Sequence, residues 1–303
     1  MTSAKSFAVF QSESSWGTVG GDVDRYIPLT NFALKADVET REAKGYAGIR
    51  QPKYAEKVRR KIGGTISCPL YGFWAPSASQ SFAQYLIEWA FSSPETADGS
   101  SKSLHWIDNV SASRWAGLRV DEATLSGDPN GVTLSLTLVG KKELASVLST
   151  ALPDNRGQCL EFLFADVALT FDGSSLPIES FSYTIRHNLS LKYNAGYEPS
   201  SLRSTGCQQS LTIKPLKSSS AMAVLQRLSS ISHKTASLTL SGLHAGTGAS
   251  GNATQVVLSF NRLAIIDAND SVTPDDYNWQ PITMSCLKPN SSTVAVGQTW
   301  SLI

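Results

Sequence analysis

Few residues in this chain stand in an arrangement that chemistry could use. The stretch GTGASG, residues 246–251, satisfies G-x-G-x-x-G, the spacing of a turn that cradles a dinucleotide pyrophosphate. That chemistry needs a strand entering the turn and a helix N-terminus leaving it, so that free amides meet the phosphates. Here NATQVVLSF leaves, and its apolar, β-branched run reads as a strand, so a hairpin loop is expected and no cofactor. The four histidines, His105, His187, His233 and His244, show neither metal nor triad spacing. Cys68, Cys159, Cys207 and Cys286 lie far apart without a C-x-x-C, which predicts buried free thiols rather than a zinc site or a redox pair. No nucleophile elbow and no phosphate-binding P-loop occurs, so no enzyme is expected.

What remains is charge, and it is local. The whole chain of 303 residues balances 26 Lys+Arg against 25 Asp+Glu, a net +1 that excludes bulk attraction to nucleic acid or anionic lipid. Within REAKGYAGIRQPKYAEKVRRK, residues 41–61, the balance breaks. Arg41, Lys44, Arg50, Lys53, Lys57, Arg59, Arg60 and Lys61 stand against Glu42 and Glu56, with Tyr46 and Tyr54 interleaved. Three readings fit this loop: a solvated charged hairpin, a contact to acidic surface on a neighbouring copy, or a phosphate-contacting patch. The tyrosines favour contact, because an aromatic ring supplies contact area at low entropic cost.

The elements that must position this loop follow from hydrophobic period. GVTLSLTLVG, residues 131–140, puts Val132, Leu134, Leu136 and Leu138 on one face and Thr133, Ser135 and Thr137 on the other, as a strand with one wet side does. QPITMSCLKP, residues 280–289, has the same alternation and sets Cys286 where the earlier strand has Leu138. SGDPNG, residues 126–131, reads as the turn between two strands, and TASLTLSGL and TQVVLSFNRLAII flank the glycine-rich loop. Phe82, Tyr85, Leu86 and Trp89 fall at i, i+3, i+4 and i+7, the stripe of a helix packing on its own sheet. No apolar run approaches the ~20 residues of a membrane span, and the first residues lack the apolar core of a signal peptide.

These elements come twice. IPLTNFALKADVET, residues 27–40, returns as LPIESFSYTIRHNL, residues 176–189; KIGGTISCPL, 61–70, returns as CQQSLTIKPL, 207–216; and the helix of 81–91 returns as SSAMAVLQRL, 219–228. The second connecting loop, 190–206, is shorter and carries only Lys192 and Arg203 against Glu198, with Tyr193 and Tyr197. The turn formers Pro153, Asp154, Asn155 and Gly157 place the boundary within 145–159, giving units 1–150 and 151–303. A mainly β chain with minor α, duplicated and without chemistry, suits a structural protein whose open sheet edges pair with further copies around a closed ring.

FQSESSWGTVG (10–20), RYIPLTNFALKADVE (25–39), KIGGTISCPLYG (61–72) and SFAQYLIEWAF (81–91), in that order, resemble the major tail tube proteins of long-tailed, siphovirus-like bacteriophages, in the form with two tube domains fused in one chain. The resemblance implies two tandem tail-tube-type β-sandwich domains, each with one flanking helix and one long hairpin loop. It implies trimeric, pseudo-hexameric rings stacked into a conduit for double-stranded DNA, assembled in the host cytoplasm and carried in the virion tail. The partners it implies are further copies, a tape measure protein in the lumen, tail terminator and baseplate or distal tail proteins at the ends, and DNA bound without sequence specificity; no membrane and no cofactor enter. Another ring-forming tail component, in the tail completion or baseplate ring, and a secretion-tube relative share the same domain. Carried onto this sequence, the ring-to-ring contacts are Arg41, Glu42, Lys44, Tyr46, Arg50, Lys53, Tyr54, Lys57, Arg59 and Arg60 of the first loop with Lys192, Tyr193, Tyr197, Glu198 and Arg203 of the second. The polar sides of 29–39, 62–70, 178–190 and 209–214 become candidates for the lumen. After TVAVGQTWSLI no further domain is expected on the outer wall.

Overall fold

A chain that alternates small polar with apolar residues over long stretches can bury only one side of each strand, and sheets must cover one another. The computed structural model describes residues 7–19, 25–27, 29–43, 54–71, 82–91, 101–107, 112–145, 161–216, 233–241, 255–268, 281–287 and 298–302. The fold is mainly β. In chain order the elements are β1 (Phe7–Ser15), β2 (Thr18–Val19), β3 (Arg25–Ile27), β4 (Asn31–Phe32), β5 (Lys35–Ala43), β6 (Tyr54–Pro69), α1 (Phe82–Phe91), β7 (Lys102–Ile107), β8 (Ala112–Asp128), β9 (Gly131–Gly140) and β10 (Lys142–Ala145). After a short 3₁₀ turn at Phe164–Asp166 come β11 (Val167–Phe171), β12 (Ser174–Ser175), β13 (Ile178–Arg186), β14 (Leu189–Lys192), β15 (Ser201–Ser204), β16 (Gln208–Pro215), β17 (Lys234–Ser241), β18 (Gln255–Ala268), β19 (Ile282–Cys286) and β20 (Gln298–Leu302).

One antiparallel run crosses the whole molecule in the order β5-β6-β9-β8-β13-β16-β19-β18. Two strands leave it for a second layer. The first half of β8 pairs with β7, which pairs with β1, and with β10 on its other side. The first half of β18 pairs with β17, which pairs with β11, and with β20 on its other side. The same pairing order therefore occurs twice, and β8 against β13 is where the two occurrences meet.

Local chemistry explains the strands. β9 buries Val132, Leu134, Leu136 and Leu138 and leaves its hydroxyls half-exposed, as its alternation requires. The turn into it closes with the Asn130 N–H donating to Asp128 Oδ1 at 2.8 Å. The alternation slips by one residue between Val120 and Glu122, where a β-bulge leaves Asp121 without a partner in β9. β18 slips at the matching place, between Ile265 and Asp267.

Helix α1 departs from the expected single stripe. Besides Tyr85, Leu86 and Trp89, it buries Ile87, Ala90 and Phe91. The reason is that it rests on more than its own sheet: Phe10 meets Trp89 edge-on at 5.5 Å, while Phe91 packs on Tyr183 at 5.2 Å and the Ala90 carbonyl accepts from His187 Nε2 at 3.0 Å. Each such apolar side chain contributes roughly 1.5–3 kcal/mol by leaving water. The second expected helix, 219–228, and the expected boundary, nearly all of 145–159, lie outside the described residues.

Two cysteine expectations change. Cys68 is buried, and desolvation pushes its thiol up to about 12, but Cys207 is exposed where the chain enters β16. Taking Phe32 opposite Ile66 as the match of Phe181 opposite Ile213, Leu138 corresponds to Met284 and Cys286 to Gly140. Cys286 thus sits at a strand end and is only half-buried; burial first, then Cys207, raise it to about 12.

A polar cluster is buried between β1, β7 and β8. Gln11 Oε1 accepts from His105 Nε2 at 2.8 Å and from Arg114 at 3.1 Å. An amide oxygen only accepts, so the imidazole carries its proton on Nε2, and Nδ1 has no hydrogen-bond partner among the described residues. A second proton there would be an unsatisfied buried cation beside a guanidinium; burial and then Arg114 pull His105 from 6.5 down to about 4. His187 is lowered too, chiefly by burial. Below 6.5 the unfolded chain takes up protons that the folded chain refuses, so stability is flat above that pH and falls as pH drops toward 4. Thermal melts of His105→Gln should show a shallower fall across this window than the native chain.

Candidate assembly interface

In the antiparallel run β5 and β13 point the same way, so the hairpins that follow them leave from one end of the sheet. The first hairpin extends β5 and β6. Its register sets Asp37 opposite Lys61, Glu39 opposite Arg59, Thr40 opposite Lys57, Arg41 opposite Glu56, Glu42 opposite Ala55 and Ala43 opposite Tyr54. The positive excess read from 41–61 is therefore partly met by Asp37 and Glu39, which lie just before that stretch. Alternation could have disclosed them, because they sit on the same face of β5 as Lys35. Arg60, on the opposite face, pairs with Glu143. Lys44, Tyr46, Arg50 and Lys53 lie outside the described residues.

The second hairpin, β14 with β15, does not stand apart. The Arg60 N–H donates to the Tyr197 carbonyl at 3.0 Å, and the Tyr193 hydroxyl donates to the Arg60 carbonyl at 3.0 Å. The Arg59 guanidinium lies 5.1 Å from the centre of the Tyr193 ring. Burial raises the Tyr193 pKa, with Arg59 opposing and Glu39 adding, so the phenol stays a neutral donor. Four of the residues expected to reach out to a neighbour thus hold the two hairpins to each other. Lys192 and Arg203 remain exposed, and Glu198 is half-buried. Between the hairpins lies a cleft of about 560 Å³ lined by Asp37, Glu39, Arg59, Lys61, Leu191 and Tyr193 among others.

The junction of β8 and β13 is built from both occurrences of the fold. Residues 122–127 pair with 181–186, and the ladder ends in a latch: the His187 N–H donates to the Asp121 carbonyl at 2.7 Å and the Leu189 N–H to Asp121 Oδ1 at 2.6 Å. Arg186 and Glu122 pair at 2.8 Å beside it. None of these was singled out from sequence, although the slip in alternation at Asp121 marks the bulge.

One face of the run is paved with hydroxyls. Ser67, Ser135, Thr124, Thr184, Ser210 and Ser285 stand side by side on six consecutive strands, with Thr133, Ser126, Ser182, Thr212 and Thr283 in the next row. Neighbours bond across strands, as Ser67 to Ser135 at 3.1 Å and Thr124 to Thr184 at 3.1 Å. The charges beside them come in pairs, Arg186 with Glu122 and Lys214 with Glu179 at 3.0 Å. Aromatic rings go to packing: Trp106 stacks on Phe32 at 4.2 Å, and Trp115 lies 5.2 Å from the same ring.

Among the described residues no three His, Cys, Asp or Glu side chains gather as metal ligands, and no helix is long and apolar enough to cross a membrane. Among the described residues the arrangement offers surfaces, edges and hairpins. No curated protein matches the chain. The family described as phage tail tube protein matches residues 3–285, nearly the whole length, and the chain therefore belongs to that family, as a structural component of the virion tail that assembles with itself into a tube.

Proposed function

We propose that each chain supplies two consecutive wall segments, 1–150 and 151–303, of a closed ring, that three copies complete a ring of pseudo-sixfold symmetry, and that rings stack into a conduit for double-stranded DNA. The observation that carries this reading is the β8–β13 junction, which joins two occurrences of one pairing order into a single sheet. Among the described residues such a sheet ends in open edges, β4 and β5 on one side and the last residues of β18 on the other. Open edges are liabilities that closure removes.

The hydroxyl-paved face is the candidate lumen. Each phosphate neutralised by a lysine or arginine adds salt-dependent affinity, and a conduit must let DNA go. Hydroxyls with paired charges meet that demand. Asp37 opposite Lys61 and Glu39 opposite Arg59 offset the positive charge of the basic hairpin, which supports it as a contact between rings rather than a DNA-holding patch. A tape measure protein would occupy the lumen during assembly in the host cytoplasm, with terminator and baseplate or distal tail proteins capping the ends.

Negative-stain electron microscopy of the purified protein, with the mass of any ring determined, tests this directly. Stacked hollow rings of three chains are expected. Rings of another chain count overturn the two-segments-for-six arithmetic, and single rings that never stack move the chain to a tail completion or baseplate ring.

A further inference from the structure

The two occurrences of the fold close their hairpin end with different chemistry. In the first, Ile62 of β6 stands opposite Gly140 of β9, and Arg60, next along the same face, ties this end by pairing with Glu143. The match of Phe32 with Phe181 sets Cys207 in the place of Arg60, Gln209 in that of Ile62 and Cys286 in that of Gly140. β16 and β19 pair as far as Ser210 opposite Ser285, so the next row brings Gln209 opposite Cys286, with Cys207 diagonal to it. These three follow on from Leu211 and Met284, on the buried side of both strands. Gln209 Nε2 donates to Cys207 Sγ at 3.6 Å, which turns the amide toward the first thiol. Burial, and then the nearness of Cys207, raise the pKa of the second.

We propose that Cys207 and Cys286 are a modification site, oxidised by a low-molecular-weight disulfide to an intrachain bridge that closes this end of the second occurrence as the Arg60–Glu143 pair closes the first. A diagonal pair in a regular ladder keeps its Cα atoms about 7–8 Å apart, and a bridge needs roughly 4.4–6.8 Å. The difference is made up at Cys207, which precedes the first residue of β16 and follows Gly206, a glycine at φ +153° with open space on its Cβ side. Cys207 is exposed and meets the oxidant first. Its thiolate attacks one sulfur of the small disulfide, whose S–S bond breaks and releases one small thiolate, which takes up a proton. Cys286 then gives its proton to water, and its sulfur attacks Cys207 Sγ and expels the second small thiol. Two protein thiols are oxidised and one small disulfide is reduced. Burial holds Cys286 protonated, so the second step is the slow one. A cytoplasm keeps thiols reduced, and the surroundings of a free virion do not. On the reading that assembly is cytoplasmic, the bridge therefore belongs to the finished tail, while its chemistry rests on the single chain.

The test is incubation of the purified chain with glutathione disulfide, followed by peptide mapping without reduction and by thermal melting. The native chain should yield a peptide pair joined through Cys207 and Cys286, with both thiols lost, and its melting midpoint should rise by roughly 5–10 °C. Cys286→Ser should instead retain the small thiol on Cys207 and show no such rise. Cys207→Ser, a change at an exposed position, should melt like the reduced native chain and leave Cys286 unmodified. A native chain that retains the small thiol on Cys207, links Cys207 to another copy or keeps both thiols free overturns the bridge. The chain count of rings formed by the reduced protein is unaffected by that result, so the ring reading and the bridge fail separately.

Discussion

Replacing Gly64 by alanine is expected to remove about 3–5 kcal/mol of folding stability, a large part of the ~5–15 kcal/mol that a domain possesses. Gly64 has φ +150°. A Cβ there would lie 2.0 Å from the Ala33 carbonyl oxygen and 2.8 Å from the Leu34 Cα, both of them backbone. This is where the chain passes from β4 to β5 across β6, with the Ala33 N–H donating to the Thr65 carbonyl at 2.9 Å. No rotamer change relieves that overlap, so β4 and β5 must lift from β6. Its neighbour supplies the control. At Gly63 the nearest atom to an added Cβ is 3.5 Å away, an ordinary contact, and Gly63→Ala should cost less than ~1 kcal/mol. Urea unfolding of the two variants decides the matter, and equal losses would show that the close approach at Gly64 does not hold the edge in place. Because β5 is an open edge among the described residues, Gly64→Ala should also abolish ring formation under conditions where the chain remains folded.

Truncating Glu13 to alanine is expected to cost a similar ~3–5 kcal/mol. Glu13 is 8% exposed. Oε2 accepts the Gly17 N–H at 2.8 Å, and Oε1 accepts the Gly117 N–H and the Ser103 hydroxyl, each at 2.7 Å. Alanine leaves two backbone donors buried without an acceptor, at ~1–3 kcal/mol apiece, and forfeits the hydroxyl bond as well. Glu13→Gln should lose about half as much. Its oxygen can serve Gly117 and Ser103, but its amide then faces the Gly17 N–H, donor against donor. The surroundings cannot adjust, since Trp16 Nε1 donates to the Gly117 carbonyl at 2.8 Å and the Lys141 ammonium sits 4.8 Å from the Trp16 ring centre. Denaturant titration together with hydrogen exchange at the Gly17 and Gly117 amides checks this, and a loss below 1 kcal/mol for the alanine variant would mean that water replaces the carboxylate. The stretch FQSESSWGTVG thereby acquires a physical meaning: Gln11, Glu13, Trp16 and Gly17 tie the first strand to β7 and β8.

Much of this was legible residue by residue. The hydroxyl–leucine alternation of 131–140 could only be a half-buried strand, the turn at 128–131 was written in Asp, Pro, Asn and Gly, and the helix of 82–91 followed from its apolar spacing. GTGASG lies outside the described residues, but β17 and β18 flank it as strands, the arrangement that spacing demanded of a hairpin loop and not of a nucleotide turn. The repeat was visible because both occurrences keep proline and phenylalanine at the head of the same strand. The candidate contact residues were legible as a charged hairpin, but their partners within the chain were not. Asp37 and Glu39 compensate that hairpin from across the ladder, and the second hairpin, expected to reach outward, spends Tyr193 and Tyr197 on Arg60.

What the sequence by itself determined is everything that depends on neighbours along the chain: strand and helix period, turn chemistry, the slip that makes a bulge, the family's motifs in their order. Those are set by how a few consecutive side chains divide between water and core. Which edge meets which was decided only in three dimensions. Thr124 opposite Thr184 and His187 under Ala90 join residues far apart in the chain, and hydroxyl-faced strands offer many pairings that local pattern cannot rank. The choice falls to the arrangement that buries both apolar faces at once while leaving no backbone donor unpaired, a condition only the assembled sheet can satisfy.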